Sequence, residues 1–171
     1  MTSQEIQAEF IKSYLKPTLK AHGFRTSAKT WWKAMGDFFI VINLQNSQFN
    51  RKEELSFCIN IGVALTARLA DEEKKKATYF DLATHLREGA FLSEERQKLR
   101  KDAGGWLGYK ITDRTNVQEF IDYFKIDLED NILPQLEELK TLKDVVEFFD
   151  GFEFWGKNLR RQIEECGMVV D

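Results

Sequence analysis

Apolar and polar positions follow two periods along this chain, and the change of period marks out its elements. Ile6, Phe10, Ile11, Tyr14, Leu15 and Leu19 recur at helical spacing and predict an amphipathic opening helix. Thr2 with Glu5 has the capping-box pattern at its start, and His22-Gly23 supplies a stop. Pro17 removes a backbone donor and should kink or divide this helix near Lys16. From Phe24 onward the period falls to two. Phe38, Ile40, Ile42 and Leu44 alternate with Phe39, Val41, Asn43 and Gln45; Leu55, Phe57, Ile59, Ile61 and Val63 alternate with Ser56, Cys58, Asn60, Gly62 and Ala64. Met35-Gly36-Asp37 has turn chemistry and joins a strand over residues 30–33 to the second strand, while a polar loop over residues 46–54 leads to the third. Such short connections give an antiparallel meander.

Residues 71–78 read as the start of a charged helix, residues 82–91 as strand or helix, and residues 93–102 as a short helix capped by Ser93. Gly104-Gly105 breaks the chain, and residues 106–112 alternate well enough to rejoin the sheet. From Asn116 the helical period returns: Val117, Phe120, Ile121, Phe124, Leu128, Ile132, Leu136 and Leu139 hold one face through residue 140, with Pro134 expected to bend the helix. Thr141 with Asp144 can cap a short helix ending at Gly151, and residues 157–166 form a last one. The expected fold is therefore α+β. An antiparallel meander sheet of four or five strands is packed mainly on one face by the N-terminal helix and a long C-terminal helical region. No repeat or Pro/Gly/Ser-rich linker divides the chain, so residues 1–171 read as a single α+β domain.

Composition adds limits. With 171 residues, 43% hydrophobic and 13% aromatic, the chain has material for a filled core. Twenty-five basic against 28 acidic residues, a net charge of -3, give no long-range attraction for phosphate backbones, so no nucleic-acid partner is expected. Basic clusters at residues 74–76, 98–101 and 160–161 sit beside acidic neighbours and read as solvated helix faces. Cys58 and Cys166 lack C-x-x-C spacing and read as ordinary thiols of a reducing cytoplasm. Met1 to Phe10 lacks the apolar run of a secretory leader, and no window reaches the length of a membrane span; a cytoplasmic location away from membranes is expected.

The runs Leu19-Lys20-Ala21-His22-Gly23-Phe24, Val41-Ile42-Asn43-Leu44-Gln45-Asn46-Ser47 and Phe57-Cys58-Ile59-Asn60-Ile61-Gly62-Val63 resemble the bacterial family known as domain of unknown function 4304. The likeness covers about the first two thirds of the chain. It implies a small α+β domain and brings no activity, substrate or catalytic residues with it. Where the family pattern has paired tryptophans, this chain has Trp106 followed by Leu107.

Candidate chemistry is sparse. Asn43 and Gln45 share one strand face, and Asn60 lies opposite the apolar row of the next strand; if these faces coincide the amides form a polar patch able to grip a ligand's polar edge. In the strand reading of residues 82–91, His85 and Arg87 share a face and would add a proton-transfer group and an anion clamp. Against this, a half-buried sheet commonly has one wet face. His22 reads as a helix C-terminal residue favoured by the macrodipole. Glu138-Leu139-Lys140 has a nuclease-like spacing but falls on a helix, where no metal site is expected, and the glycines of residues 104–108 follow a helix rather than a strand, the reverse of a phosphate loop. No catalytic, metal or cofactor motif stands out. Trp31 and Trp32 point to opposite strand faces, so one should enter the core and the other stand outside; with Phe154 and Trp155 they are the expected partner-binding aromatics. The leading expectation is a non-catalytic cytoplasmic binding or interaction module, with an immunity-like or regulatory role as one concrete form. The alternative is a small-molecule sensor or enzyme using Asn43, Gln45, Asn60, His85 and Arg87.

Overall fold

The computed structural model describes residues 1–102 and 108–170. Helix α1 (Ser3–Phe10) opens with the reciprocal Thr2–Glu5 capping box and runs through a π-turn (Ile11–Leu15) into α2 (Lys16–Ala21). The wide turn falls immediately before Pro17. A second π-turn (Ile126–Ile132) links α4 (Val117–Lys125) to α5 (Leu133–Glu137) just before Pro134. A proline ring collides with the carbonyl four residues back and leaves it without a donor, and widening the preceding turn relieves both. Each expected break is thus realised as a π-turn.

Six strands form one antiparallel sheet: β1 (Arg25–Ser27), β2 (Thr30–Ala34), β3 (Phe38–Asn46), β4 (Glu54–Leu65), β5 (Leu82–Arg87) and β6 (Tyr109–Thr112). The order is β1-β2-β3-β4-β5, and β6 also pairs with β4. Because β3 occupies one side of β4, β5 and β6 share the other: β6 pairs with Glu54 to Phe57 and β5 with Asn60 to Ala64. The sheet has one strand more than expected, because three-residue β1 is too short to show a period. Residues 82–91 resolve into β5 followed by a 3-10 turn, Glu88–Phe91. Helices α3 (Glu94–Asp102), α6 (Leu142–Asp150) and α7 (Glu153–Glu165) complete the described chain, α6 with the expected Thr141–Asp144 capping box and α7 starting four residues before its expected position.

Phe10, Leu15 and Leu19 from the first helical run and Phe120, Phe124, Leu128 and Ile132 from the later one pack with Phe38, Ile40, Phe57, Ile59 and Ile61 of the sheet. The opposite face holds a smaller cluster, Trp32, Phe39, Val41 and Ala64, covered by Leu69 and Ala77. This cover corrects two expectations. Residues 71–78 form no helix: Asp71 accepts from the backbone of Lys75 and Lys76, Lys74 turns at φ 54, and the segment becomes a strap that lays Ala77 on the sheet. Beneath it Trp32, 8% exposed, donates its indole N–H to the Lys75 carbonyl at 3.1 Å, while Trp31 is 1% exposed in the main core. The two indoles do take opposite faces, but neither is presented to a partner.

Candidate functional site

The strand register decides which polar side chains meet. Asn43 lies opposite Asn60, Asn60 opposite Arg87, Gln45 opposite Cys58, and Gly62 opposite His85, so Asn43, Gln45, Asn60, His85 and Arg87 all project from the sheet face away from the main core. Asn60 is only 2% exposed and donates to Gln45 Oε1 at 2.9 Å and Asn43 Oδ1 at 3.3 Å. Asn43 in turn donates to Thr30 Oγ1 at 2.9 Å. Much of the amide capacity is therefore spent tying β2, β3 and β4 together, as buried amides require.

What remains free lies at the edge of this network. Gln45, Ser47, Phe49, Ser56, Cys58 and Arg87 line an open cleft of about 650 Å³. Arg87 also borders a second hollow, about 270 Å³, with Gln97, Arg100 and Lys101. Asn43, Asn60 and His85 stand outside both. Burial, with the Glu88 carboxylate next, pushes the Cys58 thiol pKa up against the opposing pull of Arg87 and Arg100, so the thiol keeps its proton.

His85 belongs to a different feature on the same face. Its ring lies 5.6 Å from Tyr79 and 5.0 Å from Trp155; Tyr79 reaches Phe80 at 5.8 Å and Trp155 reaches Phe154 at 5.1 Å. Five rings thus run in one strip from the 3-10 turn before β5 to the start of α7. Phe80 is 95% exposed and Phe154 68% exposed. The strip is positioned because α7 closes the free edge of β5: Thr84 donates to the Trp155 carbonyl, and Asn158 and Gln162 both donate to the Ala83 carbonyl. Burial, then the Arg87 charge, lowers the His85 pKa below its ordinary value. The folded protein therefore binds fewer protons than the unfolded chain between the folded pKa and the unfolded value near 6.5, so stability at this site is full above that value and falls as pH falls. We expect the melting temperature to drop on acidification from pH 7.5 to 5.5, and to drop less in His85→Gln; parallel pH profiles in the two proteins would refute the assignment.

Sequence reasoning missed a polar network under the site. Glu88 pairs with Arg100 at 2.7 Å, Arg96 with Asp127 at 2.7 Å, and Tyr109 donates its hydroxyl to Asp127 at 2.7 Å. Arg96 and Arg100 also lie over the rings of Tyr123 and Tyr109, at 4.4 and 4.8 Å. Burial, with Asp127 next, raises the Tyr109 pKa well above its usual value. A signal existed: α3 carries one large apolar residue, Leu99, which is exposed, so this helix had to be attached through polar groups, and its two arginines stand four residues apart on one face.

Glu138 and Lys140 are exposed after α5, and no group of acidic, histidine or cysteine side chains able to hold a metal occurs among the described residues. No helix among them is long and apolar enough to cross a membrane. Gly104, Gly105 and Trp106 lie outside the described residues. What the fold and site define is a small α+β domain with one helix-covered sheet face and a second face that is covered in part by the strap and otherwise polar and aromatic. Residues 15–138 match the family Domain of unknown function (DUF4304), and the chain belongs to that family. No curated protein and no solved structure matches it.

Proposed function

We propose that this protein is a non-catalytic, cytoplasmic binding module that docks a segment of a partner protein along the strip Phe80–Tyr79–His85–Trp155–Phe154. The observation that carries the reading is the pairing of exposure with rigidity. Phe80 and Phe154 are the exposed ends of a ring series whose middle is fixed by the α7–β5 hydrogen bonds. Large aromatics held in place with little rotamer freedom are the usual anchors of interfaces. Arg87, exposed and two residues from His85 on the same strand face, adds a cation for an acidic group of the partner. The protonated Cys58 thiol supports binding rather than nucleophilic chemistry. An immunity-like or regulatory role fits a module of this kind.

The test is affinity capture from the native cell with wild-type and Phe80→Ala/Phe154→Ala baits. We expect a captured partner whose affinity falls about 30-fold or more in the double variant, the loss typical of two interface anchors. The melting temperature should stay within about 2 °C, because side chains this exposed carry little of the fold. An unchanged capture profile would reject the strip as the docking surface. The 650 Å³ cleft favours a second reading, a small-molecule sensor or enzyme gripping a polar ligand with Gln45 and Arg87. It would show as a thermal shift by a metabolite, lost in Gln45→Ala and retained in the Phe80/Phe154 variant.

A further inference from the structure

Away from the polar face, the turn between α2 and β1 builds a cleft of about 450 Å³ lined by Lys16, Lys20, Gly23, Phe24, Arg25, Thr26 and Trp31. Its shape follows from the way α2 ends. The Phe24 N–H bonds the Leu19 carbonyl and the Gly23 N–H the Lys20 carbonyl, a Schellman turn with Gly23 at φ 89. Because Gly23 has no side chain, Lys33 crosses over it, its Nζ 3.7 Å from where a Cβ would stand. Lys16 and Lys20 on the helix and Arg25 on β1 thus line the cleft, and Lys33 on β2 lies over Gly23 at its margin.

None of these four cations has a carboxylate partner among the described residues, whereas Arg68, Lys110 and Arg160 each pair with one. A helix end accounts for Lys20, since a cation in the last turn complements the macrodipole. It does not account for Arg25 and Lys33, which stand on strands, and the Schellman turn already satisfies the terminal carbonyls. Collecting four like charges costs repulsion that an occupant of opposite charge would relieve. The walls are Phe24 and Trp31, and Trp31 carries one of two buried side-chain polar atoms without a partner among the described residues, its indole N–H.

We propose that this cleft is a binding site for a compact organic polyanion, one that sets two or more phosphate or carboxylate charges among Lys16, Lys20, Arg25 and Lys33 and an apolar portion against Phe24 and Trp31. It is independent of the aromatic strip. The probes are inorganic pyrophosphate and citrate, titrated at low salt into the whole protein, with melting temperature and calorimetry as readouts. A saturable rise of roughly 5 to 10 °C is expected at about a hundred times the dissociation constant. A response to pyrophosphate alone identifies phosphate as the recognised group, and a response to citrate alone identifies carboxylate. Lys20→Glu/Arg25→Glu should abolish the shift, and the neutral pair Lys20→Gln/Arg25→Gln, which keeps the packing without like-charge reversal, should weaken binding at least about tenfold. Lys52→Glu/Lys98→Glu changes net charge equally on surfaces outside the cleft and should leave binding intact. No shift with either probe, a shift that survives in the cleft variants, or one lost equally in the Lys52/Lys98 control would overturn the proposal.

Discussion

Glu88→Ala is expected to lower the unfolding free energy by about 3–5 kcal/mol, the range seen when one member of a buried ion pair is removed. Two consequences add up at this position. Arg100, itself buried, loses its carboxylate 2.7 Å away, and the Ile59 N–H, which donates to the other Glu88 oxygen at 2.9 Å, is left without an acceptor. The second loss arises from the topology. β6 pairs with β4 up to Phe57 and β5 pairs from Asn60, so β4 has a gap in its ladder between them, and the Glu88 carboxylate occupies it. Glu88→Gln retains an oxygen for Ile59 and should cost less than the alanine variant. Glu88→Leu/Arg100→Met removes both charges and should recover part of the loss, because two buried ions replaced together leave no uncompensated charge. Urea unfolding with a constant m-value measures all three. A Glu88→Ala cost below about 1 kcal/mol, the range general for surface ion pairs, would show that the network does not hold the site.

Glu88 also shows where the sequence stops being legible. The period-two alternation of β3 and β4 could be read directly, and parity then put Asn43, Gln45 and Asn60 on one face. For residues 82–91 the pattern was ambiguous, because the strand ends where a carboxylate turns inward to serve another strand, and no local period encodes that. The strap over Trp32 was opaque for the same reason. Asp71-Glu72-Glu73-Lys74-Lys75-Lys76 has helical composition, yet its conformation is set by Leu69 and Ala77 reaching the sheet face of Trp32, Phe39 and Val41, far away in sequence. Whether an outward-pointing tryptophan is exposed depends on what arrives later to cover it. The aromatic strip was half visible: Phe154 and Trp155 stood out as large aromatics, but their contact with His85 and Tyr79 depends on α7 closing the edge of β5.

That edge depends on a glycine, and Gly62→Ala is expected to cost about 3 kcal/mol or more, at the upper end of core overpacking. A Cβ at Gly62 would stand 2.1 Å from the Thr84 carbonyl oxygen and 2.6 Å from the His85 Cβ. A carbonyl and a Cβ cannot swing aside as the tip of a long side chain can, so β5 must move away from β4. The register shift at Val63/Ala64 lies beside this contact, where the ladder has least capacity to absorb the displacement. His85 would move with β5, and the strip from Phe80 to Phe154 would lose its middle. Gly62→Ala should therefore weaken both the fold and partner capture, whereas Phe80→Ala/Phe154→Ala weakens capture alone. Gly36→Ala is the matched control: its φ of 92 strains any L residue, but nothing lies within 4 Å of the added methyl, so about 1 kcal/mol is expected. Gly62 has no left-handed φ, so equal losses in the two alanine variants would mean that β5 accommodates the added methyl and that the close approach of β4 and β5 does not make glycine necessary at Gly62. Faster amide exchange at Leu86 and Arg87 in Gly62→Ala, with exchange in β3 unchanged, would locate the damage at the strand that carries His85.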